Sequence, residues 1–258
     1  MKTLIIDISK WQKDVDYAQI KADGLVAGVI LRCGYTGSAS KSLEVDELFH
    51  RHAHGFLRVG IPIGVYWFSR ATTVTEGKLE ALKTLELIKE YRIDYPVYID
   101  VEDGVYQAKA TREALTQAVV SFCETIEQAR YYVGIYASVS WFRDRLLPDD
   151  LAPFDKWVAH WGVEKPSYAL PFGMHQYTST GKVRGIAGDV DLNHCYKDYP
   201  MIMKVHGLNG YPKGDDIPPV PDADPCKQIN EWLELAHHHL EMASSFIELA
   251  RAFTPEDK

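Results

Sequence analysis

Two carboxylates set two residues apart in an apolar run are the feature of this chain best suited to chemistry: Val97-Tyr98-Ile99-Asp100-Val101-Glu102. The run is apolar and β-branched, as in a buried strand. Strand side chains alternate, so Asp100 and Glu102 face one side, about 6.6 Å apart along the chain, and Ile99 and Val101 face the other. Burying two acids is costly unless they line a cavity or find partners. In a partly dry site they do not share one protonation state. One pKa is pushed up, giving an acid able to protonate a leaving oxygen at neutral pH, while the other stays ionised. Hydrolysis of a glycosidic bond needs that division. Taken alone, Asp-x-Glu is common, and a strand-end pair serving helix N-termini or a metal accounts for it equally well.

The elements that must carry these acids decide between the readings. Strand-like runs at Leu4–Ile8, Gly28–Cys33, Pro62–Phe68, Pro96–Asp100 and Tyr132–Ala137 alternate with helical periodicity near Tyr17–Ala22, Val45–Arg58, Glu76–Tyr91, Thr111–Ala129 and Ser140–Leu146. Such alternation predicts a parallel sheet. Three short strands follow without obvious helices, at Lys156–His160, Met174–Tyr177 and Asp189–Leu192. Five βα units and three strands can close an α/β barrel; an open doubly wound sheet is the alternative. Acids or aromatics sit at the ends of many candidate strands: Asp7, Tyr66, Asp100 with Glu102, Tyr136 and Asp191. A barrel gathers such ends around one mouth, an open sheet at one crevice, so a barrel is expected. Its first and last strands would set Asp7 beside Asp191, across the mouth from Glu102. For Asp7 alone, a turn or cap leading through Ser9 is the plain explanation. Four converging acids are harder to explain by capping.

An ordered series of motifs then becomes specific. Asp7-Ile8-Ser9-Lys10-Trp11-Gln12, Gly64-Val65-Tyr66-Trp67-Phe68, Tyr98-Ile99-Asp100-Val101-Glu102, Gly134-Ile135-Tyr136, Trp157-Val158-Ala159-His160-Trp161, His175-Gln176-Tyr177 and Val190-Asp191-Leu192-Asn193 together resemble the family 25 glycoside hydrolases, lysozymes of the muramidase type. The resemblance spans about residues 3–200. It implies a flattened, TIM-like (β/α)5β3 barrel that cleaves the β-1,4 bond between N-acetylmuramic acid and N-acetylglucosamine in bacterial peptidoglycan. By that likeness Glu102 is the general acid/base. Asp100 and Asp191 orient the N-acetyl group or stabilise the cationic transition state, and Asp7 positions sugar or a partner carboxylate. Trp67 stands where many members have His, and Trp161 where Tyr is frequent. The close spacing of Asp100 and Glu102 predicts retention of configuration, with the substrate's N-acetyl oxygen as nucleophile.

Tyr66, Tyr136 and Trp161, with Tyr35 after the second strand, suit a sugar groove, because an aromatic face packs on the C–H face of a pyranose. Arg32 is costly to bury unpaired and is expected to hold a carboxylate near the mouth. A family 18 chitinase-like barrel would carry a further aspartate two residues before the pair, where this chain has Tyr98. The alternative from another class is a non-catalytic wall carbohydrate-binding protein on the same barrel, for which four buried acids serve no purpose.

Bulk properties narrow the rest. The chain has 258 residues and a net charge of −8, of which 207–258 hold −6 (4 Lys or Arg against 10 Asp or Glu). No basic stripe exists to track phosphates, so nucleic acid is not an expected partner. No apolar run reaches the roughly 20 residues of a membrane span. Asp7 interrupts the N-terminal apolar run and no cleavage site follows, so no signal peptide is expected; the protein would be made in the cytoplasm, as in phage endolysins, and reach the wall after release. Cys33, Cys123, Cys195 and Cys226 are widely spaced and read as reduced thiols. His50 and His54, one helical turn apart, and His237–His239 do not make a metal site, and no cofactor or metal is expected.

Three segments are expected: a catalytic barrel over 1–206, a Pro- and Asp-rich linker over 207–225, and an amphipathic helix over 226–258. In the last, Ile229, Trp232, Ala236, Ala243, Phe246, Ala250 and Phe253 hold a and d heptad positions. A helix of this kind cannot cover its own face, which predicts wall targeting, a homo-oligomer through residues 226–253, or docking on the barrel.

Overall fold

The computed structural model describes residues 2–212; the expectations for the rest of the linker, the C-terminal helix, Cys226 and His237–His239 lie outside the described residues. Strands are β1 (Thr3–Ile8), β2 (Val26–Thr36), β3 (Leu43–Val45), β4 (Ile63–Phe68), β5 (Val97–Asp100), β6 (Val133–Ser138), β7 (Asp155–Ala159), β8 (Met174–Gly181) and β9 (Val190–Cys195). Helices are α1 (Tyr17–Asp23), α2 (Phe49–Arg58), α3 (Val74–Ile88), α4 (Arg112–Gln128), α5 (Val139–Asp144), α6 (Pro148–Leu151) and α7 (Tyr199–His206). The sheet runs β1-β9-β8-β7-β6-β5-β4-β2, closes through β1–β2 pairing, and carries β3 on the edge of β2. All barrel neighbours are parallel except β9, which is antiparallel to both β8 and β1. The expected closed (β/α)5β3 barrel is what forms.

Local chemistry explains the helix boundaries. Thr73, Thr111 and Asp16 accept from the backbone N–H three residues on, satisfying donors that a helix start leaves open. The second helix starts at Phe49 and not at Val45, because Leu43–Val45 pairs with Gly34–Thr36 as a short hairpin. Asp46 then breaks the chain: its carboxylate accepts from Leu48 N, Lys10 N and Arg32 Nε. Two helices absent from the sequence reading, α6 and α7, are short; α7 is nevertheless marked by Asp198, whose side chain caps Met201 N, and by Gly207, which ends the helix in the left-handed region at φ 59.

The apolar residues divide into two cores. One lies between barrel and helices and contains Ile99, Val101, Trp67, Phe56 and Phe122. The other fills the barrel and contains Ile5, Ile30, Tyr98, Tyr136, Trp157 and Met174. Strand alternation makes this division: Tyr98 and Asp100 turn in, while Ile99 and Val101 turn out. Gly134 leaves room for the inward ring of Tyr98, since a Cβ there would lie 2.4 Å from Tyr98 Cε1. Because β9 runs antiparallel, the chain leaves it at the floor of the barrel, where Tyr199 and Met203 of α7 plug the opening. Leu208, Asn209 and Tyr211, within the segment read as linker, pack there too; Asn209 is 2% exposed and its side chain bonds Tyr95 O and Tyr132 N.

Candidate active site

Each inward position at the mouth has its own strand. Asp7 comes from the end of β1, Arg32 from β2, Tyr66 from β4, Asp100 from the end of β5, Tyr136 from β6 and Gln176 from β8. Asp191 comes from the start of β9, because that strand is reversed, and it sits opposite Asp7 in the ladder. The β5 ladder ends at Asp100, and Val101 N still donates to Tyr136 O, so Glu102 stands one residue beyond the sheet. Asp7, Tyr66, Asp100, Glu102, Tyr136, Trp157, Gln176 and Asp191 surround a cavity of about 50 Å³. The structure thus brings the four acids together at one place.

Their environments differ. Asp7 is buried and accepts from Asn193 Nδ2 at 2.8 Å and Gln176 Nε2 at 3.1 Å. Burial, then the charge of Asp191, push it well above the usual carboxylate range despite those donors. Asp100 is also buried, its Oδ1 has no partner, and burial followed by the charges of Glu102 and Asp7 push it up strongly. Asp191 is half-buried, within 3.4 Å of Gln176 Nε2, and is raised by lost hydration. Glu102 is open to solvent at the rim and makes no hydrogen bond to the described residues. The walls around it still strip enough water to raise its pKa, and the charge of Asp191 adds to this. Four acids this close cannot all ionise at neutral pH. Glu102 is the one whose proton is both accessible and unencumbered.

Gln176 and Asn193 stood in quoted motifs without a role, and the structure makes them the hub of the site. Gln176 donates to Asp7 and Asp191 and accepts from Tyr136 OH and Trp161 Nε1, both at 2.9 Å. Asn193 donates to Asp7 and accepts from Trp157 Nε1 at 2.7 Å. The available signal was alternation: Asn193 lies two residues after Asp191, on the same face.

The other candidates divide. Tyr66, Tyr136 and Trp161 meet the mouth, the last with 56% of its surface exposed. Tyr35 is outside the cavity lining, its ring flanked by Lys10 Nζ at 5.2 Å and Arg32 Cζ at 5.4 Å. Arg32 does hold a carboxylate, but that of Asp46, at 2.7 Å. Trp67 lies wholly in the outer core, bonded to Thr36 Oγ1, so its departure from the family pattern does not reach the cavity. Trp11, 71% exposed just after β1, is an aromatic the sequence reading left unassigned.

Support comes from behind. Glu80 of α3, 1% exposed, accepts from Thr36 Oγ1, Ser69 Oγ and Arg70 N, tying the ends of β2 and β4 to the helix layer. Burial lifts its pKa to about 7. Arg70 in turn pairs with Asp103 at 2.9 Å, next to Glu102. Among the described residues no group of three or more His, Cys, Asp or Glu is arranged to hold a metal; His50 and His54 both turn to Tyr91 OH. Cys33, Cys123 and Cys195 are buried free thiols. No described helix is long and apolar enough to cross a membrane.

The model of glycosyl hydrolases family 25 matches residues 6–186, which takes in Asp7, Asp100 and Glu102. The chain belongs to that family. It is 26% identical over 189 residues to an autolytic lysozyme of Clostridium acetobutylicum, covering 73% of this chain and 54% of that protein. Among solved structures, the modular autolysin LytC from Streptococcus pneumoniae, in complex with a synthetic peptidoglycan ligand, is 31% identical with a TM-score of 0.66, over 76% of this chain and 47% of that one. The catalytic domain of endolysin ply40 from bacteriophage P40 of Listeria monocytogenes is 27% identical with a TM-score of 0.62, over 79% and 97% of the two chains. The chain spans about half the length of the first two proteins.

Proposed function

We propose that this family 25 chain is a muramidase, hydrolysing the β-1,4 bond between N-acetylmuramic acid and N-acetylglucosamine in bacterial peptidoglycan. One observation carries the reading: Glu102 is the acid of the four that combines a raised pKa, an unbonded carboxyl and an opening toward the groove.

In this scheme Glu102 donates its proton to the glycosidic oxygen as the bond to C1 breaks. The acetamido oxygen of the same sugar closes on C1, held by an aspartate, and no bond to the protein forms. Asp100, facing the cavity without a hydrogen-bond partner at Oδ1, is placed to answer the positive charge that develops. Asp7 and Asp191, joined through Gln176, steady the sugar and each other. Glu102, now ionised, takes a proton from the water that opens the cyclic intermediate. Two inversions at C1 give retention. Tyr66, Tyr136 and Trp161 supply faces and edges for the pyranose rings. The finer reading is an endolysin that reaches the wall after release from the cell in which it is made; likeness to the phage P40 enzyme supports it.

Purified walls digested with the wild type and with Glu102→Gln test the core of this. The wild type should release fragments with N-acetylmuramic acid at the new reducing end by mass spectrometry, and the variant almost none. An active variant, or new ends at N-acetylglucosamine, would remove the assignment. NMR of the first-formed anomer tests the stereochemistry, and an inverted product sinks the N-acetyl route.

A further inference from the structure

Beside the acid-lined cavity opens a second, much larger one of about 760 Å³, which shares Glu102, Tyr136 and Trp161 with the mouth and extends between the segments that follow β6 and β7. Its far wall is apolar: Val139, Phe142, Leu151, Tyr168 and Leu170. Several of the polar side chains that line it already have partners within the protein, whereas Glu102 and the Tyr168 hydroxyl make no hydrogen bond to the described residues. Ser138 and Ser140 bond each other at 2.9 Å, His160 Nδ1 accepts from Ser167 N, and Arg143 pairs with Asp144. Tyr136 OH and Trp161 Nε1 are both spent on Gln176. A pyranose placed against those apolar side chains would bury hydroxyls without partners, which is unfavourable. Alkyl groups would be buried at a gain.

We infer that this pocket is a subsite for the lactyl-linked peptide carried by muramic acid. The inference rests on the muramidase reading above. A sugar seated over Asp100 and Glu102 has its substituents within reach of the shared rim. The lactyl ether begins the branch with a methyl group, and a stem opening with alanine adds a second. The amides of a short stem can turn to the open side while its methyls meet Phe142, Tyr168 and Leu170. The enzyme would therefore distinguish peptide-bearing from naked glycan at this position.

The test compares one glycan in two forms, with its stem peptides and after their removal by an amidase, following kcat/KM through new reducing ends. The wild type should prefer the peptide-bearing form at least tenfold, mostly through KM. In Leu170→Asp and Tyr168→Ala the ratio should fall toward one. Binding of N-acetylmuramyl-L-alanyl-D-isoglutamine to Glu102→Gln, measured by calorimetry against N-acetylmuramic acid, should show the same preference and lose it when Glu102→Gln is combined with Leu170→Asp or with Tyr168→Ala. Equal rates on both glycans overturn the subsite, as do variants that slow both forms in parallel. Failure to cut either form counts instead against the muramidase reading.

Discussion

The two ends of the barrel bury acids to opposite purpose. At the floor, Asp155 is satisfied on every side: Lys197 Nζ at 3.0 Å, Tyr132 OH at 3.1 Å and Tyr199 OH at 2.8 Å on one oxygen, and Lys156 N at 2.8 Å on the other. At the mouth, four carboxyls share chiefly the amides of Gln176 and Asn193, and Asp100 Oδ1 has nothing. Removing a buried ion from water is tolerable when donors replace the water. Where they do not, burial raises the pKa, as it does at the mouth for Asp100 and Glu102. Partners thus mark an acid that holds the fold, and their scarcity marks acids held for chemistry.

Mutation at the two ends should separate these purposes. The largest effect expected is on Glu102→Gln, a fall in kcat of about 10³-fold, in the range for loss of a general acid, with thermal unfolding unchanged or slightly later. Asp100→Asn should lower kcat about 10²-fold yet raise stability by about 1 kcal/mol, since an unpartnered buried carboxyl is removed; a lower Tm in calorimetry would break the contrast. Asp155→Ala should do the reverse. It should destabilise by about 2 kcal/mol, discounted because Lys197 is partly exposed, while kcat per folded molecule stays put.

Smaller effects sharpen the picture. The charge of Asp191 helps raise Glu102, so Asp191→Asn should move the alkaline limb of kcat/KM toward acid pH; a shift the other way would contradict that coupling. Glu80 has a folded pKa of about 7 against an ordinary 4.5. Its folded form binds the proton more tightly, so stability is full below about 4.5 and is lost as pH rises through about 7. The mouth acids are raised as well and act with the same sign. Wild-type stability, by denaturant titration, should decline over that window, and Glu80→Gln should flatten the decline.

Much of this was legible in the chain itself, for stated reasons. Asp100 and Glu102 could be placed on one face because strand alternation leaves no choice, and Asp7 beside Asp191 followed from closing a barrel. Gln176 was not legible as a hub: an amide gives no sign of burial until the aromatic NH and OH groups that converge on it are known. Arg32 was read as needing a carboxylate, but Asp46 depends on the β3 hairpin, and three residues of strand are too short to show a period. Trp67 was noted as standing where many family members have His; alternation turns it to the outer core, away from the cavity.

The seam between β1 and β9 carries a consequence for biosynthesis. Asp7 lies in the first barrel strand and leaves the ribosome long before Asp191 in the last, yet they are ladder partners. Contacts so distant along the polypeptide form late. A nascent barrel lacking its final strand has Asp7 without Asn193 or Asp191, and Glu102 without the charge that helps keep it protonated. Catalytic competence should therefore switch on in one step, when the last strand slots in, with no weakly active fragment on the way.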